Sequence, residues 1–373
     1  MKKILRTIAT LAVLACFFEF ISSTVISQDI LLSNNSLEET EMLIFLSPQY
    51  STDRDIEIAL QKYVTIIQDE LEWNVHLIKL SSTDNDYKKI DTIIERYFAS
   101  STVKACLMIG EDIDTALAGS SGYMRKPSTV PWYTTGGSAA YELSETNTII
   151  NKPYRMDICI SLLYPTHTLS YKEKKSQLLS VIEKFCDDRR TDADGVLALE
   201  SAALNQNSKA LYGSISTYKP LFYQENPTDT DVNILLKQSY AMVCVHGHSN
   251  PAGTMLNEDE DVWFSADDVE TLNTPLFVAD GCYVGGWWTN VVNAHQLNPS
   301  IECPWYGSQI FTSSNVRAMV LGLLSQTGHT SQVSFFENTV SSLLTGKTLA
   351  ESLIGHTYIG DSITIYGDPT LLL

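Results

Sequence analysis

Two apolar runs in the C-terminal third each end in a side chain that can do chemistry. They are Ala241-Met242-Val243-Cys244-Val245-His246-Gly247-His248 and Pro275-Leu276-Phe277-Val278-Ala279-Asp280-Gly281-Cys282. Apolar character that is continuous, not alternating, marks a strand buried on both faces, the signature of a parallel sheet sandwiched between helices. No other feature constrains the fold as much. Parallel strands need crossover connections, and their C-terminal ends gather on one edge, where such folds place ligands. If both runs share a sheet, an imidazole and a thiol emerge as neighbours on that edge.

The rest of the chain reads in the same alternating style. Strands are predicted over 42–46, 75–79, 104–109 and 155–161. A helix over 55–72 places Ile56, Ala59, Leu60, Tyr63, Ile66, Ile67 and Leu71 at helical spacing, and a second is predicted over 87–98. The Gly/Ser/Pro-rich stretch 118–138 is too irregular for regular structure. After a junction at 165–170, an amphipathic helix over 171–186 opens a second unit. Strands are predicted there over 209–215, 240–245, 276–279, 317–323 and 362–366, with helices near 229–238, 266–272 and 333–344. The expected fold class is α/β with two mostly parallel sheets flanked by helices. The smaller unit spans 41–166 and the larger, chemistry-bearing unit spans 167–373.

The first 27 residues read as a secretory signal. Lys2, Lys3 and Arg6 precede an apolar stretch from Leu11 to Ile21, then the small polar residues Ser22, Ser23, Thr24 and Ser27. A short segment, 28–40, would link it to the fold. An alternative takes Val13-Leu14-Ala15-Cys16 as a lipoprotein box with a lipid anchor on Cys16, although Leu14 fits that box poorly. No other stretch is long enough to span a membrane. The expected location is therefore secreted, periplasmic or cell-surface. The balance of 44 acidic against 25 basic residues, −19 overall, argues against nucleic acid and anionic membrane surfaces as partners. Cys106, Cys159 and Cys244 sit inside apolar strand-like runs and read as small hydrophobes, and no CxxC spacing points to structural zinc.

Chemistry concentrates at the two strand exits. A thiol attacks only as its thiolate, so Cys282 needs a neighbouring base or a depressed pKa. The nearby Gly281, Gly285 and Gly286 would let the backbone turn N–H groups toward a substrate carbonyl. His246 and His248 flank Gly247, and either could take the thiol proton and return it to a leaving amine. That pairing is the minimum equipment of a cysteine peptidase acting on a peptide or protein substrate.

These residues resemble the gingipain-type cysteine peptidases, peptidase family C25, within the superfamily that includes caspases and legumain. Met242 to His248 is similar to the family's apolar strand running into G-H-G-S, with Gly247-His248 on G-H. Residues 274–282, Thr-Pro-Leu-Phe-Val-Ala-Asp-Gly-Cys, resemble L-P-F-I-F-D-x-A-C. Residues 363–372, with Gly367-Asp368-Pro369-Thr370-Leu371, resemble the family's closing strand and G-D-P-S-L. The likeness extends over roughly 41–373.

It implies a caspase-like fold and a catalytic dyad of His248 and Cys282. It also implies an oxyanion hole from the backbone N–H groups of Ser249 and Cys282, and cleavage after basic residues. The superfamily's wider H-G pattern is met instead by His246-Gly247, which makes His246 the alternative histidine and Gly247 the alternative oxyanion donor. Ser249 stands where the family has glycine, and Ser161-Leu162 where it has G-R.

Two other readings stay open: a catalytically silent gingipain-like binding or assembly protein, and a metal-dependent hydrolase using His246-x-His248 with His295, His329 or His356. Trp287, Trp288, Trp305 and Tyr306 read as aromatics near the cleft or as packing. The acidic run Asn257-Glu258-Asp259-Glu260-Asp261 and the set Asp187, Asp188, Asp192, Asp194 read as solvated loops with oxygen ligands suited to calcium. No cofactor, metal ligand, substrate-binding residue or oligomeric state is assigned.

Overall fold

Six of the seven residues of the first strand, β1 (Thr40–Leu46), are buried, as a strand covered on both faces must be. The computed structural model describes residues 40–84, 87–98, 102–110, 113, 154–155, 157–166, 169–187, 193–204, 212–250, 252–281, 284, 306–322, 335–355, 357–358 and 363–373. The leader, the 118–138 stretch, Cys282, Trp287, Trp288, His295, Cys303, Trp305, His329 and His356 all lie outside the described residues.

Helix α1 (Arg54–Leu71) follows β1. It buries one stripe, Ile56, Leu60, Tyr63, Val64 and Ile67, at the spacing of a 3.6-residue turn. Asp53 starts it by accepting the amides of Asp55 and Ile56, and Glu72 ends it in the left-handed conformation, φ 57°. Then come β2 (Asn74–Lys79), α2 (Tyr87–Phe98), β3 (Thr102–Ile109), β4 (Tyr154–Arg155) and β5 (Cys159–Leu163). Helix α3 (Tyr171–Cys186) opens on a reciprocal Ser170–Glu173 capping box. It packs back on α1: Tyr171 donates to Asp53 at 2.6 Å, Lys175 pairs with Asp53 and Asp55, and the rings of Tyr63 and Phe185 meet at 5.7 Å.

The second half runs β6 (Val196–Glu200), β7 (Leu221–Glu225), α4 (Asp229–Leu235) and β8 (Met242–His246). A small antiparallel sheet follows, made of β9 (His248–Asn250), β10 (Gly253–Asn257) and β11 (Val262–Ser265). After it come β12 (Leu276–Asp280), β13 (Ala318–Gly322), α5 (Ser341–Leu344), α6 (Leu349–Leu353), β14 (Thr357–Tyr358) and β15 (Ile363–Gly367). A two-residue ribbon pairs β14 with β4.

The two expected sheets form one. Ten strands run in the order β2-β1-β3-β5-β15-β13-β12-β8-β6-β7, and every neighbouring pair is parallel except β13 with β15. The last strand is therefore the seam, parallel to β5 on one side and antiparallel to β13 on the other. The α/β, mostly parallel architecture is as the apolar runs imply. Because direction reverses at the seam, the two halves present their C-terminal strand ends on opposite edges.

Local assignments differ in several places, and β7, the β9–β11 sheet and β14 are not among the expected elements at all. Residues 212–215, the described part of the strand expected over 209–215, lie in a helical turn with Tyr212 and Ile215 buried three apart, and helical spacing prevails over the β-forming composition. The segment Ala266–Thr271 is a 3-10 helix. The strand following α3 is β6, a short run the composition under-signals. No helix among the described residues is long and apolar enough to cross a membrane. Cys106, Cys159 and Cys244 are free and buried in strands. Burial pushes all three thiols up, so they stay protonated and inert.

Candidate active site

Parallel register carries one row of residues across the C-terminal ends of the second half: Glu225, Glu200, His246, Asp280 and Gly322 are paired in turn from β7 to β13. The middle three are ionisable and nearly inaccessible. Glu200 is 0%, Asp280 2% and His246 6% exposed. Groups like these are costly to bury unless paired, by several kcal/mol per ion. Here they pair with one another.

His246 Nδ1 lies 3.0 Å from Glu200 Oε1, and its Nε2 lies 3.9 Å from Asp280 Oδ2. Glu200 is held in turn by Tyr223, whose hydroxyl donates to Oε2 at 2.5 Å. Burial acts to lower the imidazole pKa, but the Asp280 charge and the Glu200 bond outweigh it, so the His246 pKa rises above its ordinary value. The ring is thus fixed in orientation and favoured as a cation. Burial and the bond to Glu200 push the Tyr223 phenol up, which keeps it a donor.

The chain leaves the sheet at Gly247, and the two histidines part. His248 belongs to β9, paired with Met255, and its exposed ring lies 3.6 Å from Glu258. Gly247 N–H donates to Asp280 O at 3.2 Å, so the ladder already uses it. Ser249 donates to Gly247 O at 2.8 Å and touches Thr254 Oγ1 at 3.0 Å.

Cys282 is two positions beyond Asp280. Its predecessor, Gly281, lies directly against the histidine turn: a Cβ there would fall on Ser249 Oγ and within 2.7 Å of Gly247 O. Only glycine lets the two turns approach this closely. The strand exits expected to meet are therefore adjacent, with His246 and Asp280 in register.

Sequence reasoning nominated His246, Gly247, His248, Ser249 and Cys282 but not Glu200. The missed signal is the same as that of the other two strands, since Gly195-Val196-Leu197-Ala198-Leu199-Glu200 is an apolar run ending in a reactive side chain. Tyr306, one of the expected cleft aromatics, is fully buried. It stacks on Phe264 and packs tilted against Phe277, with centroids 6.2 and 5.3 Å away. In the acidic run, Asn257 accepts the amides of Asp259 and Glu260, while Asp261 accepts from Trp263 Nε1 at 2.9 Å. That is the hydrogen bonding of a tight turn between β10 and β11.

With this geometry in hand, the fold can be compared with known structures. It is similar to the Arg-specific cysteine proteinase gingipain R: TM-score 0.57 at 12% identity, covering 91% of this chain and 79% of that one. It is also similar to the complex of the Porphyromonas gingivalis RgpB pro- and mature domains, with TM-score 0.54 at 12% identity, covering 89% and 79%. A third structure, described only as a protease, gives TM-score 0.54 at 11% identity, covering 89% and 78%. No family model and no curated protein matches the sequence. At such identities the likeness shows the fold, a caspase-like α/β arrangement of the gingipain kind.

Proposed function

We propose that the protein is an exported cysteine endopeptidase in which Cys282 is the nucleophile, His246 the acid/base and Glu200 the carboxylate that orients it. The observation that carries this reading is the buried imidazole of His246, bonded to Glu200 through Nδ1 and in strand register with Asp280, two residues before Cys282. Nδ1 is engaged by Glu200, and Nε2, on the Asp280 side of the ring, is the atom that would exchange a proton. A cationic imidazole favours the thiolate of a neighbouring cysteine. The thiolate would attack the peptide carbonyl and form a C–S bond as the carbonyl π electrons move to oxygen. Collapse of that oxyanion would expel the amine, which takes the proton from His246 Nε2. Water would then hydrolyse the thioester.

His246 fits the acid/base role better than His248, which is exposed and partnered by Glu258 alone among the described contacts. The oxyanion falls to the N–H groups of Cys282 and Ser249, because Gly247 N–H already serves Asp280 O. Cleavage after basic residues agrees with the Arg-specific fold relative and with the exposed carboxylates of Glu225 and Glu258 near this strand edge. One observation favours the silent-binder reading: the amide following the histidine is committed to the sheet.

The test is a fluorogenic peptide library offered to the exported form, with reductant. Cleavage after Arg or Lys that is abolished by a thiol alkylator and by Cys282→Ala, and untouched by a chelator, supports the reading. Sensitivity to the chelator alone points to the metal hydrolase. Absence of cleavage, with a bound protein partner retained by Cys282→Ala, points to the binder.

A further inference from the structure

Three hydroxyls form a chain behind the histidine turn. Ser249 Oγ lies 2.8 Å from Gly247 O and 3.0 Å from Thr254 Oγ1. Thr254 Oγ1 lies 2.8 Å from Tyr306 OH, and Tyr306 OH lies 3.1 Å from Phe264 O. Thr254 and Tyr306 are fully buried and Ser249 is half-buried, so water cannot substitute for the inner two. Each hydroxyl has one proton to give. Three protons must serve four links, and both ends of the chain are carbonyls that can only accept.

One link therefore goes without a proton. Ser249 is the donor in both of its contacts and Tyr306 is the donor to Phe264 O, so Thr254 gives its proton to Tyr306 and the shorter Ser249 contact, to Gly247 O, takes the serine proton. The Ser249–Thr254 link is left as a close contact, and the Ser249 bond to Gly247 O rests on a buried hydroxyl pair. It ends on the peptide that follows His246, and the same Ser249 Oγ and Gly247 O form the wall against which Gly281 is pressed.

The chain is anchored from behind. Tyr306 stacks on Phe264 and packs tilted against Phe277. The segment that follows it is tied to α3 by Lys184, whose ammonium donates to Ile310 O at 2.8 Å and Ser313 O at 2.7 Å. Ser249 thus stands between the buried Thr254–Tyr306 pair and the turns at Gly247 and Gly281.

We propose that Ser249 is a positioning residue, backed by the buried Thr254–Tyr306 pair, whose bond to Gly247 O holds the His246 turn against Gly281, the residue before Cys282. This rests on the reading of His246 and Cys282 as the reacting pair. It goes beyond that reading by assigning a role to the serine that departs from the family's glycine. The hydroxyl touches no reacting atom. Its effect is to keep the near-attack geometry, where small displacements have large kinetic consequences.

The experiment compares wild type, Ser249→Ala, Ser249→Thr, Tyr306→Phe and the double variant Ser249→Ala/Tyr306→Phe. It reads kcat and KM on the cleaved peptide, the thermal midpoint, and the pH profile of iodoacetamide alkylation at Cys282 followed by mass spectrometry. Expected for Ser249→Ala are a kcat lowered about 10- to 100-fold with KM within about twofold, and Cys282 alkylation that needs higher pH. Ser249→Thr should recover most of both, and the double variant should be no worse than Ser249→Ala, because both break one chain.

Unchanged kcat and unchanged alkylation in Ser249→Ala overturn the proposal. So do multiplicative effects in the double variant, or losses that simply track the thermal midpoint. If Ser249→Ala does not fold, Ser249→Thr and Tyr306→Phe carry the same comparison. If wild type cleaves no peptide, the peptidase reading fails while the alkylation profiles still decide the role of Ser249.

Discussion

The two halves of the sheet are built alike and end differently. In the first half, β1, β3 and β5 finish in Leu46, Ile109 and Leu163, all fully buried. Their rim is closed by backbone: Ser47 N–H donates to Ile109 O, Leu80 N–H to Leu46 O and Gly110 N–H to Leu163 O, each at 2.9–3.0 Å. In the second half, β6, β8 and β12 finish in Glu200, His246 and Asp280, equally buried but ionisable. Buried charges weaken a fold unless they are paired, and perturbed titrating groups cluster where chemistry is done. One scaffold thus carries an inert, apolar rim and an ionisable rim, and the last side chain of each strand makes the difference.

The comparison breaks most visibly at the histidines. His246→Ala should lower kcat/KM by about 10²- to 10⁴-fold, the range of a lost general acid/base, while His248→Ala stays within about threefold. Steady-state kinetics on one peptide decides, and the opposite ranking would move the dyad to His248. Next is Glu200→Gln, which keeps the shape but loses the carboxylate. A drop on the order of 10²-fold in kcat is expected, together with a pH optimum displaced to lower pH as His246 loses the charge that keeps it protonated.

The inert rim should respond in stability only. Ser161 in β5 donates to Gly367 O at 2.6 Å in full burial, so Ser161→Ala should destabilise by about 1–3 kcal/mol and leave kcat/KM unchanged. A kinetic loss at equal stability would mean that the first rim takes part in chemistry after all.

The smallest effects come from pH. His246 holds its proton more tightly folded than unfolded, so its contribution to stability is complete below about 6.5 and fades as pH rises through its folded pKa. Lys184 runs the other way. Burial and then the neighbouring Arg317 push its pKa down from 10.5 to about 7, so stability from this group rises with pH between those values. Urea midpoints across that window should lose the fading component in His246→Asn and the rising one in Lys184→Met.

How much of this could be read from sequence follows from which forces are local. The strands holding His246 and Asp280 announce themselves as continuous apolar runs, and the stripe of α1 is periodic over several turns. β6 has only four apolar residues before Glu200, two of them leucine and one alanine, with little of the β-branched composition that marks a strand. Glu200 was hidden with it. Direction was hidden altogether: nothing in Ile363-Thr364-Ile365-Tyr366-Gly367 says that it runs against β13 and along β5, because pairing partners are set by tertiary packing. The burial of Tyr306, and its link through Thr254 to Ser249, join residues dozens of positions apart that no motif connects.

The seam strand also has a kinetic consequence. Until β15 docks, β5 and β13 are open edges, each a template for pairing with another chain. The contact that closes them, Ser161 with Gly367, spans 206 positions, and such distant closures come late in folding. Before then the chain is two unfinished half-sheets, at its most vulnerable to clumping. Extra copies of residues 363–373 supplied as a peptide should compete for that slot.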